Sequence, residues 1–154
     1  MNDTDFPKVT PPLRIVAPED KPFWDAIDAG YLVIARCPCG ASYTRLQACL
    51  CCLEPAESLQ WIAASGQGVV RTFIVFEKAY HPYFADAVPY VVAMVALAEG
   101  PDLLTNVVDA ELSGMTIGMP VRIVIRNVRN QRLHQAIPTR SSATSIPSED
   151  YVRE

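Results

Sequence analysis

Histidine is scarce in this chain: His81 and His134 are the two it has among 154 residues. A nucleophile at neutral pH needs a base beside it, so acid–base or covalent catalysis has few places to reside. A cationic excess is missing as well, with 13 Lys and Arg against 17 Asp and Glu, a net charge of −4 and a pI near 5.2. Proteins that grip nucleic acid displace phosphate counterions with concentrated Lys and Arg, so no nucleic-acid partner is expected. Long apolar runs are absent too. The longest, residues 88–98, has roughly 11 members, about half of a membrane span, and no membrane partner is expected. The opening stretch MNDTDFPKVTPPLRI has no basic start followed by an apolar core, so no signal peptide is read there and a cytoplasmic location is expected.

What the chain does concentrate is cysteine. All five fall within Arg36-Cys37-Pro38-Cys39-Gly40 and Cys49-Leu50-Cys51-Cys52. In a reducing compartment such crowding points to metal before disulfides. Zinc favours four soft ligands in a tetrahedron, and two close pairs about ten residues apart supply them from two tight turns. Gly40 suits such a turn because its backbone bends toward the sulfurs without a steric penalty. Cys49 and Cys52 have the usual two residues between them, whereas Cys37 and Cys39 have one. The expected ligands are Cys37, Cys39, Cys49 and Cys52, and the expected ion is structural Zn2+. The shortened first pair leaves open whether Cys51 replaces a neighbour. Iron in the same cage is an alternative to zinc, and buried or disulfide-linked cysteines are alternatives to metal. Four protein ligands leave no position for water, so the metal is read as structural and no catalytic residue is assigned.

Residues 1–18 are rich in proline and polar side chains and are expected to be a flexible segment. A short helix follows, with Asp20 as N-cap, Pro22 in the first turn and Gly30 at the C-terminal cap. Phe23, Ile27 and Tyr31 recur at a spacing of four and form its apolar stripe. Residues 31–35 read as a strand leading into the cysteines, so 19–56 is taken as one helix-plus-cysteine unit. From residue 57 the texture becomes strand after strand: 59–64, 69–77, 90–97, 103–108 and 121–128. Val70, Thr72, Ile74 and Phe76 are expected on one face, and Val121, Ile123 and Ile125 alternate with Arg122 and Arg126. The fold class is therefore mainly β, with 57–136 a five-stranded OB-fold barrel of Greek-key type. Residues 137–154 have little apolar content and read as a flexible tail or a partner-binding arm.

The capped helix PFWDAIDAGYL, the Cys-Cys-Gly ribbon, the second cysteine pair, VPYVVAMVALAEGPDLLTNVV and IGMPVRI together resemble the zinc-ribbon (rubredoxin-like) plus OB-fold proteins associated with acyl-CoA metabolism. The resemblance covers roughly residues 18–127. The chain departs from that pattern in the one-residue gap between Cys37 and Cys39, and in Tyr43-Thr44-Arg45 where the family usually carries a proline pair. The resemblance implies a subunit without catalytic power of its own, a partner of thiolases, aldolases, hot-dog-fold hydratases or acyltransferases. It also implies a coenzyme A thioester as the substrate of the complex. A non-catalytic accessory subunit of a thiolase-type hetero-oligomer is the leading expectation. A single-stranded nucleic-acid module and a rubredoxin-like electron carrier are the alternatives.

Few other residues carry a signal. His81, with Asp86 five positions later, could form an acid–base pair, but an interface histidine in a loop is the simpler reading. Tyr80, Tyr83 and Phe84 lie in the same loop and suit either contact with a partner or ligand, or plugging one end of the barrel. Arg71, Lys78, Arg122 and Arg126 could meet coenzyme A phosphates, or simply form a solvated outer face. Arg126, Arg129, Arg132 and Arg140 form a loose basic stretch suited to an acidic partner surface. Arg71, Lys78, Tyr80, His81, Tyr83 and Phe84 are the candidate acyl-CoA or partner contacts.

Overall fold

The computed structural model describes Pro12, residues 14–128 and residues 130–139. The tail beyond 139, nearly all of the segment before 14, and Arg129 and Arg140 lie outside the described residues. After a 3-10 turn at Pro18–Asp20, helix α1 spans Lys21–Ala29 with Pro22 in its first turn, and Gly30 closes it at φ 101°. Asp20 stands at the N-cap but does not cap. Its carboxylate instead accepts from Arg45 at 3.0 and 3.2 Å, which ties the helix to the cysteine unit. Phe23 and Ile27 are buried, while Tyr31 is 55 % exposed. The helix ends before Tyr31, so the fourfold spacing no longer points it inward.

Strands β1 (Val33–Arg36), β2 (Ser42–Tyr43) and β3 (Gln60–Ala63) form a small antiparallel sheet in the order β2-β1-β3. Strands β4 (Gln67–Phe76), β5 (Tyr90–Leu97), β6 (Asp102–Val107), β7 (Pro120–Val128) and β8 (Gln131–Pro138) close a barrel in the order β4-β5-β6-β8-β7. All pairings in it are antiparallel except β6 with β8. The chain is thus mainly β, with one short helix, a cysteine-bearing sheet and the expected five-stranded barrel. The membership of that barrel differs from the sequence reading. Residues 59–64 supply a strand to the cysteine sheet, and the fifth barrel strand is β8, which sequence reading took for a basic stretch and the start of a tail.

A second correction lies in β4. The register against β5 slips between Val70 and Thr72, placing Arg71 in a bulge. One extra residue turns every later side chain to the opposite face. Val70, Phe73 and Val75 therefore pack inward, and Thr72 and Ile74 face out. The barrel core is built from Val70, Val91, Val95, Leu103, Val121 and Ile123, and α1 adds Phe23, Ala26 and Ile27 to the same cluster. The helix packs on β8 and on β1, so it is the joint between the two sheets.

Gly68 sits where β4 pairs with β5 and β7 together. A Cβ there would meet the Ala96 carbonyl oxygen and Val95 Cγ1, each at 2.7 Å. Neither neighbour is a flexible chain end, so Gly68→Ala is expected to destabilise the protein by about 1–3 kcal/mol in urea unfolding. An unchanged midpoint would show that the strands separate freely at this closure. Among the described residues no helix is long and apolar enough to cross a membrane.

Candidate metal centre

Each half of the site is a tight turn hung on the small sheet. In the first, the Cys37 amide donates to the Ala41 carbonyl at 2.8 Å and the Gly40 amide to the Cys37 carbonyl at 2.9 Å. In the second, the Cys49 amide donates to Glu54 at 2.8 Å and the Leu53 amide to Cys49 at 2.9 Å. The residue after the last cysteine of each pair is left-handed, Gly40 at φ 97° and Leu53 at φ 63°. The two turns therefore share one design despite their different lengths. Glycine meets the conformational demand without strain in the first, and a bulky residue tolerates it in the second.

The four sulfurs of Cys37, Cys39, Cys49 and Cys52 lie within 4.8 Å of one another. Cys37 Sγ is 3.5 Å from Cys52 Sγ, and Cys39 Sγ is 3.6 Å from Cys49 Sγ. None of the five cysteines is in a disulfide. With metal–sulfur bonds of about 2.3 Å, the edge of a regular tetrahedron is roughly 3.8 Å, so this spacing fits one metal ion between four thiolates. Cys37 and Cys49 are buried, whereas Cys39 and Cys52 face outward. Cys51 is exposed and outside this group of four, with its side chain beside Cys39.

The environment splits the buried pair. Burial pushes the Cys37 thiol up to about 12. The Tyr43 hydroxyl, followed by the Cys52 amide, draws Cys49 down to about 6. Around the turns, Ala35, Cys37, Cys49 and Leu59 form a small buried cluster, with Tyr43, Leu46 and Trp61 packed against it. What the arrangement offers chemically is a four-sulfur cage for a soft metal ion.

The other sequence-level candidates lie elsewhere. Arg71 is tied to Asp102 at 2.9 Å, and Lys78 is exposed. His81 Nδ1 accepts the Tyr83 amide at 3.1 Å and so starts the 3-10 turn Pro82–Ala87. Tyr80, His81, Tyr83 and Phe84 gather with Phe76 and Tyr90, whose rings stack at 4.9 Å. None of these rings belongs to the barrel's buried cluster. The residue that sequence reading missed is Tyr43: it was noted as a departure in a loop, yet its hydroxyl lies 3.4 Å from Cys49 Sγ.

A four-cysteine ribbon joined through one helix to a five-stranded OB barrel defines the class of this protein. Residues 61–126 match the family described as the C-terminal OB-fold domain of ChsH2. A DUF35 domain-containing scaffold protein of Methanocaldococcus jannaschii is 33% identical over 109 residues, which cover 69% of this chain and 76% of that one. The chain belongs to the DUF35 family. A solved structure titled Ltp2-ChsH2(DUF35) aldolase superposes with a TM-score of 0.71 at 29% identity, covering 82% of this chain and 98% of the matched one. A probable enoyl-CoA hydratase alpha subunit of Thermomonospora curvata is 39% identical over 105 residues, 66% of this chain. A 3-oxo-4,17-pregnadiene-20-carboxyl-CoA hydratase alpha subunit of Mycobacterium tuberculosis is 32% identical over 100 residues, 65% of this chain. The chain spans about a third of the length of these two hydratase subunits, 32% and 31%.

Proposed function

We propose that this chain is a non-catalytic accessory subunit of a thiolase-type acyl-CoA enzyme, bracing the partner's active site and sharing contact with the acyl-CoA. We also propose that its ribbon holds structural zinc. The observation that carries the first reading is the outer face of β4, β5 and β6. There Thr72, Met94 and Leu104 share one cross-strand row, and Ile74, Val92 and Asn106 the next. Ile74 is 55% exposed and Leu104 60%, and none of these six residues is charged. A wide uncharged sheet face left to water is the mark of a surface that meets another protein. The aromatic group of Phe76, Tyr80 and Tyr90 extends it, with Tyr80 78% exposed.

The names of the relatives support the same reading, since they describe a DUF35 protein with an aldolase and subunits of acyl-CoA hydratases. Lys78 and Tyr80 at the open start of the loop are the residues offered for contact, and Arg71, held by Asp102, lies farther back along β4. Co-expression with a thiolase-like protein from the same source should yield a complex that elutes as one species and turns over acyl-CoA. The double substitution Ile74→Asp, Leu104→Asp should abolish that complex while leaving far-UV circular dichroism unchanged. Full turnover by the isolated chain would sink the proposal.

A further inference from the structure

Tyr43 occupies β2, the strand that follows the first cysteine turn, and its ring packs against the cluster formed by Cys37 and Cys49. Its hydroxyl oxygen lies 2.9 Å from the Leu50 amide and 3.4 Å from Cys49 Sγ. An amide N–H can only donate, so the phenol oxygen is the acceptor toward Leu50. The remaining proton of the hydroxyl is then free to point at sulfur, and the partner in reach is Cys49. One side chain from the first half of the ribbon thereby grips both a backbone group and a ligand atom of the second half.

The first cysteine turn is one residue short, which removes a residue whose amide could face the sulfurs. Cys37 receives the Cys39 amide, whereas Cys49 receives those of Cys51 and Cys52. Four thiolates around a divalent ion leave a net charge of about −2 in a site whose Cys37 and Cys49 are buried, and hydrogen bonds to sulfur are what spread that charge. We propose that Tyr43 is a positioning residue of the metal centre: its hydroxyl donates to the Cys49 thiolate, tunes the electron donation of that sulfur to the metal, and latches the second turn onto β2. This rests on the reading of the four cysteines as a metal site.

The test compares wild type and Tyr43→Phe, each loaded with Co2+ and then titrated with Zn2+ against a competing chelator. Removing a hydrogen bond from a coordinated thiolate raises its electron donation. The sulfur-to-cobalt charge-transfer band of Y43F should therefore move to lower energy, and zinc affinity should fall by about 10–100-fold. The Leu50 amide should exchange faster with solvent. Wild type grown with 3-fluorotyrosine, whose more acidic hydroxyl donates more strongly, should shift the band the other way, which supplies a readout even if the phenylalanine variant does not fold. A wild type that takes up neither ion would remove the metal reading beneath the proposal. Uptake with band position and affinity indistinguishable between wild type and both Tyr43 forms would overturn the role of Tyr43 alone.

Discussion

Purified protein should carry one zinc per chain, and stripping it with a strong chelator should dissolve the ribbon. The apparent binding energy of a structural four-ligand site is about 10–16 kcal/mol at neutral pH, and in so small a unit that energy is folding energy. Beyond the sulfurs, the ribbon's buried cluster holds little more than Ala35 and Leu59. At a few degrees of melting temperature per kcal/mol, loss of the metal should lower the transition by roughly 20 °C or more. The damage should also reach the barrel, because Leu32 and Ile34 beside the ribbon belong to the barrel's own core cluster. Elemental analysis and thermal melts of single serine variants test the ligand set. Cys37→Ser, Cys39→Ser, Cys49→Ser and Cys52→Ser should each lose stoichiometric metal, whereas Cys51→Ser should keep it. Iron with a visible redox-active chromophore, or full metal in a variant of one of the four, would contradict this assignment. Because each ligand must shed a proton, falling pH should release the ion.

The cysteine site was legible because its ligands are local: two pairs close in sequence, each followed by a residue able to turn left-handed. Spacing alone could not say whether Cys51 replaces a neighbour, since that depends on how the two turns face each other across the small sheet. Tyr43 was invisible for the same reason. Its partner atoms lie 6 and 7 residues away, and no local pattern marks a phenol that folds across a turn. The barrel was legible as a run of alternating strands, yet not the list of its members. The segment 59–64 has the same texture as a barrel strand, and only its pairing with β1 assigns it to the ribbon. Strand β8 was hidden because its one fully buried residue is the small Ala136, and Gln131, Arg132, His134 and Gln135 precede it. The bulge at Arg71 has no sequence signature at all, and it parts Val70 from Thr72, Ile74 and Phe76, which were expected on one face with it. That separation matters for function, because it puts Ile74 on the outer surface proposed for the partner.

The stability of the wild type should fall steeply between pH 6.5 and 4 through one residue, His134. This ring lies in the seam between α1 and β8, stacked on Trp24 at 5.8 Å and edge-on to Phe23 at 5.9 Å. Thr105 donates its hydroxyl to the His134 carbonyl at 2.9 Å, so its oxygen accepts from Nδ1 at 3.0 Å. The neutral imidazole therefore holds its proton on Nδ1. Burial in this aromatic seam pushes the imidazole down to about 4 from its usual 6.5. The sign follows from proton counting: between those two values the unfolded chain binds a proton that the folded chain refuses. Folding stability from this group is thus complete above pH 6.5 and is lost as the pH falls toward 4. The size is about 2 kcal/mol by pH 5 and about 3 kcal/mol at the lower limit. His134→Asn retains a nitrogen near Nδ1 and does not titrate. It should be less stable than wild type at pH 7.5 because it gives up the ring contacts with Trp24 and Phe23, and the gap should narrow by about 2 kcal/mol at pH 5 in urea unfolding. Carboxylates and the metal ligands also respond to acid, but they do so in both proteins, so the difference isolates the imidazole. A gap that stays constant from pH 7.5 to 5 would mean that His134 titrates normally, and that the seam between helix and barrel opens to water far more readily than its packing implies.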